Sequence, residues 1–240
     1  MKTTHTLLFS VFIAAASGFV HATPIVFTES RYTTFAQANA GDVSNGLDSA
    51  IATTRLPINS AVDVVSPNAD SASAVAFADT LFLTTTTEAS GVAGMAASSA
   101  VATFTGLFNA APGLLDLSLF FDAFSDQQKS GFASNSLVVN LEVGGITLLN
   151  DILFNAVSLK QQFLLATGGA GLFDLTLTGT SDAVSGDYAF SLASVNAALD
   201  VTPAAVPEPA GIALLLAGLL GWILPVAARN RMREHAPRLV

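Results

Sequence analysis

The stretch Leu114-Leu-Asp-Leu-Ser-Leu-Phe-Phe-Asp-Ala-Phe124 decides the fold class, because its side chains alternate between apolar and polar over most of its length. Successive side chains of a β-strand point to opposite faces of a sheet. One face would carry Leu115, Leu117, Leu119 and Phe121. The other would carry Asp116, Ser118, Phe120 and Asp122. The pattern predicts a half-buried strand.

Similar runs continue through the rest of the region between residues 24 and 202. They cover residues 74–84, 99–108, 136–143, 146–149, 172–178 and 187–201. Turn-forming residues separate them, at 111–113, 144–145, 168–171 and 185–187. Many short strands separated by such turns predict an all-β domain, a β-sandwich with jelly-roll-like topology.

Two segments of this region alternate less clearly. Residues 33–73 are rich in Ala, Asn, Asp and Ser, and we expect long loops there. Within residues 151–165, the sequence Lys160-Gln161-Gln162 favours either a short helix or a turn between two strands. We find no internal repeat, so the region from residue 23 to residue 203 is expected to be one domain.

The charge of the central region makes some partners improbable. The whole chain of 240 residues has a net charge of −9. Residues 23–206 contain sixteen acidic residues against only Arg31, Arg55, Lys129 and Lys160, a net charge of −12. Nucleic acid is an improbable partner, because binding it requires clustered Lys and Arg. An anionic polysaccharide would also be repelled unless a divalent cation bridged the two.

The residues that many catalytic sites need are missing from the central region. The chain has no Cys, and its three His residues are His5, His21 and His235, all in the end segments. Disulfides, thiolate nucleophiles and Ser-His-Asp sites are therefore excluded between residues 23 and 206. A zinc site there would need only carboxylate ligands, which zinc proteins rarely use. We therefore expect no catalytic residues and no resident cofactor.

The N-terminus carries the pattern of a secretory signal peptide. Lys2 gives the positive start, and residues 7–20 (LLFSVFIAAASGFV) are apolar but short for a membrane span. Val20-His21-Ala22 fits the small-residue cleavage pattern, which places the cut between Ala22 and Thr23. Residues 1–22 are thus predicted to be a signal peptide, with export machinery and signal peptidase as partners; the alternatives are an uncleaved anchor or a buried helix.

The C-terminal segment has the composition of a membrane span. Residues 210–228 (AGIALLLAGLLGWILPVAA) are nineteen residues without a charge, and as a helix they would reach about 28 Å. Arg229, Arg231 and Arg233 follow directly. By the positive-inside tendency they would hold residues 229–240 in the cytoplasm and leave the acidic domain outside. The alternative is a buried core helix.

The tetrapeptide before this span suggests how the protein is sorted. Val206 is followed by Pro207, Glu208 and Pro209, and two prolines keep this segment out of regular structure. The order Pro-Glu-Pro, apolar helix, arginine cluster over residues 204–240 resembles the PEP-CTERM sorting signal. That family is processed by exosortase, an integral-membrane cysteine protease of Gram-negative bacteria that make extracellular polysaccharide. The resemblance implies recognition at residues 207–209 and a transient tether to the inner membrane.

The acidic residues of the central region are the candidates for a metal site or a glycosidase site. Asp116 and Asp122 lie about 20 Å apart on a strand, too far for a glycosidase pair. Two carboxylate pairs, Asp122 with Asp126 and Asp182 with Asp187, are candidates to contribute calcium ligands, although neither has an EF-hand pattern. Residues 168–174 (GGAGLFD) resemble a single calcium-binding nonapeptide, which we interpret as a turn.

Aromatic residues give little indication of a sugar site. The only Trp is Trp222 in the predicted span, and Tyr32 and Tyr188 are the only tyrosines. Phe120 and Phe124 form a Phe-x-Asp-x-Phe run on the outward face. We expect them to be packing residues that cover a second sheet, and the alternative is a ligand platform. We therefore expect a non-enzymatic exported protein of the cell surface or the polysaccharide matrix. The alternatives are a carbohydrate-binding or adhesive module, with or without calcium, and a glycoside-active enzyme.

Overall fold

A computed structural model describes residues 21–41, 44–52 and 57–204. All regular secondary structure in these residues is β. In chain order the strands are β1 (Thr23–Pro24), β2 (Phe27–Ala40), β3 (Ser44–Ala52), β4 (Ile58–Val65), β5 (Ser71–Asp79), β6 (Phe82–Gly91), β7 (Ala96–Ala110), β8 (Gly113–Gln128), β9 (Phe132–Val143), β10 (Ile146–Leu153), β11 (Val157–Leu165), β12 (Gly169–Ala183) and β13 (Asp187–Pro203). The all-β fold class is confirmed.

The strands form two antiparallel sheets. The first sheet has the order β11-β8-β13-β6-β5-β4, and β1 pairs with the end of β13. The second sheet has the order β10-β9-β12-β7-β2-β3. From β6 onward the pairing is nested, because β6 pairs with β13, β7 with β12, β8 with β11 and β9 with β10. Strands β10 to β13 therefore fold back on β6 to β9 as one long antiparallel hairpin.

The strand that decided the fold class lies near the middle of this pairing. On β8, the side chains of Leu115, Leu117, Leu119 and Phe121 are all buried. They belong to a core whose members come from both sheets. The largest fully buried side chains of that core are Tyr32, Phe104, Phe108, Phe121, Phe173, Leu83, Leu115, Leu117, Leu119, Leu137, Leu141 and Leu175. The sheets therefore pack face to face as a β-sandwich, as alternation on each strand predicts.

The expectation of long loops over residues 33–73 is wrong. Strands β3 and β4 fall entirely in that range, together with part of β2 and the start of β5. On β2 the buried side chains include Ala36, Ala38 and Ala40, with polar residues between them. Buried and less buried side chains do alternate along β2, but alanine differs little in hydrophobicity from its polar neighbours, so the sequence pattern is weak. The small side chains of Ala38 and Ala72 pack in a separate cluster.

Two other boundaries also differ from the sequence interpretation. Residues 74–84 are not one strand, because Thr80 and Leu81 form a tight turn between β5 and β6 and Asp79 pairs with Phe82. Leu81 adopts a φ of 59° there, which a non-glycine residue seldom does. Lys160, Gln161 and Gln162 lie inside β11, so they form neither a helix nor a turn.

Three of the four predicted turns are confirmed. Gly144 and Gly145 have φ values of 60° and 76° and join β9 to β10 as a two-residue hairpin loop. Residues 111–112 join β7 to β8 and residues 184–186 join β12 to β13, so only the last residue of each predicted turn already belongs to the next strand. The fourth prediction is wrong in extent, because Gly169 already belongs to β12.

Candidate functional site

The outward face of the first sheet carries more apolar surface than its solvent-facing position predicts. Phe120 and Phe124 on β8 are each 57% exposed, and Phe82, Leu192 and Val75 on neighbouring strands are also exposed. We call this surface the aromatic face and define it by Val75, Phe77, Phe82, Phe120, Phe124, Phe190 and Leu192. Exposed apolar side chains grouped on one face make that face a candidate interaction surface.

The aromatic face corrects one sequence interpretation. Phe120 and Phe124 were expected to cover a second sheet, but the second sheet packs against the opposite side of β8, where Leu119 and Phe121 are buried. The rings instead contact one another across strands. The ring centroids of Phe124 and Phe190 are 6.2 Å apart, and those of Phe77 and Phe82 are 6.0 Å apart.

Polar side chains are interleaved with these rings. On β13, Asn196 is paired with Phe120, Ser194 with Asp122 and Leu192 with Phe124. Along β8 the outward order is therefore ring, carboxylate, ring. A ligand lying along this strand would meet apolar faces and hydrogen-bonding groups in turn.

A hollow of about 310 Å³ opens beside Phe120. It is lined by Ser118, Leu119, Phe120, Ser158, Leu159, Lys160, Asn196, Ala197 and Ala198. Ser118 is paired with both Ala198 and Lys160 on the adjacent strands. Because Ser118 and Ala198 are small, they leave a depression between Phe120 on one side and Asp116 with Asp200 on the other. We call this depression the Phe120 hollow.

On the same outward side of β13, beyond the aromatic face, the side chain of Tyr188 lies near the carboxylates of Glu88 and Asp126. Burial raises the pKa of its hydroxyl, and the negative charges of Glu88 and Asp126 and a hydrogen bond to Glu88 raise this pKa further. The phenol therefore stays protonated and donates to Glu88 at neutral pH. Tyr32, the other candidate for a sugar contact, is 0% exposed, and its hydroxyl is hydrogen-bonded to that of Thr80 at 2.9 Å. Tyr32 is a core residue.

The carboxylate pairs considered for calcium lie in different surroundings. Asp122 and Asp126 both face outward on β8. Asp187 is buried at the start of β13 and accepts a hydrogen bond from the hydroxyl of Ser130, while burial raises the pKa of Asp182 on β12. Within residues 21–41, 44–52 and 57–204, no three His, Asp or Glu side chains are grouped closely enough to hold a metal ion. Calcium binding stays a prediction.

The carboxylate of Asp70 accepts a set of hydrogen bonds that the sequence did not indicate. Its Oδ1 atom accepts hydrogen bonds from the backbone N–H groups of Val92, Ala93 and Gly94 at 2.7, 2.8 and 2.9 Å. The hydroxyl of Ser66 donates to Oδ2 at 3.2 Å. Only the turn at residues 66–70 could have been read from the sequence, because the three N–H donors lie more than twenty positions away.

The predicted processing residues are only partly within the described structure. Ala22 and Thr23 are exposed, and the hydroxyl of Thr23 donates to the carbonyl of Val201 at 3.3 Å. Pro207, Glu208, Pro209, Arg229, Arg231 and Arg233 lie outside the described residues, as do the predicted apolar run of the signal peptide at 7–20 and the predicted span at 210–228. In the part of the chain that the structure describes, no helix has the length and apolarity needed to cross a membrane.

Comparisons with known proteins do not assign a family. No protein-family model matches the chain, and no curated protein matches it. One solved structure, described as TmCBM61 in complex with beta-1,4-galactotriose, aligns at 7% identity with a TM-score of 0.21, covering 48% of this chain and 69% of that one. Another, of infectious bursal disease virus Gx strain, aligns at 10% identity with a TM-score of 0.19, covering 90% and 75%. Scores this low support no conclusion about fold or function.

Proposed function

We propose that this chain is a non-enzymatic exported β-sandwich, made as a membrane-tethered precursor and delivered to the cell surface or the polysaccharide matrix. The order of Pro207-Glu208-Pro209, the apolar run at 210–228 and the arginines at 229, 231 and 233 carries this proposal. Exosortase acts near residues 207–209 and releases the domain from the inner membrane. The absence of Cys and His between residues 23 and 206 supports a role without catalysis.

The pairing of β1 with β13 is consistent with such a precursor. Thr23 is the antiparallel partner of Val201. Thr23, the first residue after the predicted cleavage, and Val201, close to the predicted linker, therefore lie at the same end of the first sheet.

The sorting step can be tested in cells by changing only the recognition motif. Replacing Pro207 and Pro209 together with alanine is expected to leave the protein in the inner-membrane fraction. A Pro203→Ala variant is a matched control, because Pro203 ends β13 just before the linker and lies outside the motif. If the double variant is released as efficiently as the control, exosortase processing at this motif is wrong.

The strand order supports a finer description of the fold. We propose that β6 to β13 form a jelly roll, with β2 to β5 added at one edge of each sheet. The nested pairs β6 with β13, β7 with β12, β8 with β11 and β9 with β10 support this topology, since a jelly roll is one long antiparallel hairpin wrapped into two sheets.

A second candidate function is carbohydrate binding or adhesion by the exported domain. The aromatic face favours it, because exposed rings interleaved with carboxylates and amides are suited to ligands that carry both apolar C–H surfaces and hydroxyl groups. A glycan array probed with and without calcium would test this function. Binding that depends on calcium would also support the metal prediction, and binding to no glycan would overturn the candidate.

A further inference from the structure

The Phe120 hollow combines an apolar wall with groups that hydrogen-bond in both directions. Phe120 is 57% exposed, although burying an aromatic side chain is favourable. The amide of Asn196 both donates and accepts, as do the hydroxyls of Ser118 and Ser158, whereas the ammonium of Lys160 only donates. A ligand that has an apolar ring face surrounded by hydroxyl groups could pack on Phe120 and hydrogen-bond to these side chains.

The charges around the hollow narrow the class of ligand. Lys160 lines the hollow, and Asp116 and Asp200 border it on the side away from Phe120. Asp122, Asp126 and Glu88 face outward on the same sheet, and the central region has a net charge of −12, so a polyanion would be repelled by the surroundings. A second copy of this face would oppose carboxylates to carboxylates, which is costly when both are desolvated. An uncharged polyhydroxyl ligand meets neither penalty.

The aromatic face extends the hollow in one direction. Phe124 lies four residues beyond Phe120 on the same face of β8, about 13 Å away. Asp122 lies between them and is paired with Ser194. A polymer lying along β8 would therefore find a ring, then hydrogen-bond acceptors and a hydroxyl, then a second ring.

We propose that the Phe120 hollow binds one sugar unit of an uncharged polysaccharide, whose chain runs along β8 and crosses the ring of Phe124. The inference rests on the carbohydrate-binding candidate and adds its site and its ligand class. Phe120 stacks on the sugar ring, and Asn196, Ser118 and Lys160 hydrogen-bond to its hydroxyl groups.

The test uses the full chain in detergent micelles on an array of glucan, galactan and xylan oligosaccharides, beside uronic-acid oligosaccharides as the anionic class. Affinity for the strongest neutral ligand is then measured by calorimetry for three proteins. Phe120→Ala is expected to weaken binding about tenfold or more. Phe132→Ala is the matched control, because Phe132 is also an outward strand residue, 55% exposed, but lies on β9 of the second sheet. It is expected to bind as the unaltered protein does.

The possible outcomes separate this site from the wider function. One outcome is that the unaltered protein binds a neutral glycan no more tightly than a Phe120→Ala variant that circular dichroism shows to be folded. In that case the Phe120 hollow is not the binding site, and carbohydrate binding by the domain is retained. If the folded, unaltered protein binds no glycan, both are wrong. Binding confined to uronic-acid oligosaccharides would overturn the uncharged ligand class.

Discussion

The Oδ1 atom of Asp70 accepts a hydrogen bond from the backbone N–H of Ala93 at 2.8 Å. Asp70 follows the turn between β4 and β5, and Ala93 lies in the connection from β6 in the first sheet to β7 in the second. The carboxylate also accepts from the N–H groups of Val92 and Gly94. One side chain, 1% exposed, thus holds the connection by which the chain crosses from one sheet to the other.

This contact predicts an acid-sensitive contribution to stability. The hydrogen bonds from Ala93 and Gly94 lower the pKa of Asp70 below its ordinary value of 3.8, against the opposing effect of burial. The stabilisation is therefore fully present above pH 3.8 and is lost as the pH falls toward the lowered pKa. Asp70→Asn should lower the thermal midpoint at neutral pH, and the difference from the unaltered protein should shrink in acid.

The control for this prediction is Asp63→Asn, because Asp63 is exposed on the neighbouring strand β4. Thermal unfolding of the three proteins from neutral pH down to about pH 2 would show the difference. Equal midpoints for Asp70→Asn and Asp63→Asn across this range would mean that the contact with residues 92–94 contributes nothing.

A second prediction concerns hydroxyl groups inside the sandwich. The Oγ1 atom of Thr87 on β6 lies 2.7 Å from the hydroxyl of Ser181 on β12 and 2.6 Å from that of Ser191 on β13. All three residues are 0% exposed. Thr87→Val removes the shared partner and leaves two buried hydroxyls short of a hydrogen bond, which should cost about 1–3 kcal/mol of unfolding free energy.

Urea denaturation would measure this cost. Thr86→Val is the matched control, because Thr86 directly precedes Thr87 on β6, its side chain is not buried, and it faces the outward side. We expect it to change the unfolding free energy by less than about 0.5 kcal/mol. A loss as small for Thr87→Val as for the control would show that the hydroxyl cluster does not stabilise the two sheets.

A third prediction tests the close packing of an aromatic ring on backbone. A Cβ atom added to Gly171 would lie 2.3 Å from a ring carbon of Phe108, which belongs to the core. Gly171→Ala should therefore displace the ring and cost about 1–3 kcal/mol. Combining it with Phe108→Leu should cost less than the sum of the two single changes, because the smaller side chain makes room for the methyl group. Strict additivity in this double-mutant cycle would contradict the contact.

Apolar–polar alternation was sufficient to predict the strands whose inward-facing residues are large. Residues 114–124 read as a strand because Leu115, Leu117 and Leu119 contrast strongly with Asp116 and Ser118, and the structure extends this strand in both directions. The same periodicity on β2 depends on alanine, which contrasts weakly, so the strand was mistaken for a loop. The turn at Thr80 and Leu81 was missed because neither residue is a usual one for a tight turn.

Local pattern indicates that Phe120 and Phe124 share the outward face of one strand, but it does not indicate the hollow beside Phe120. The hollow exists because Ser118 is paired with Ala198 and Lys160, which lie eighty and forty-two positions away in the sequence. Phe120 looked like a packing residue because an exposed ring and a buried ring have the same sequence pattern until the partner of each face is known. Sheet register, not residue type, therefore separates the aromatic face from the core.

The central claim is that the working protein is a released domain, and the intact mass of the protein recovered from the cell surface or the extracellular matrix tests it most directly. Mass spectrometry of that material should show a polypeptide that begins at Thr23 and ends near Pro207 to Pro209. A mass that still includes Arg229 and the residues after it would contradict the account, because the tail would then be a permanent part of the exported protein.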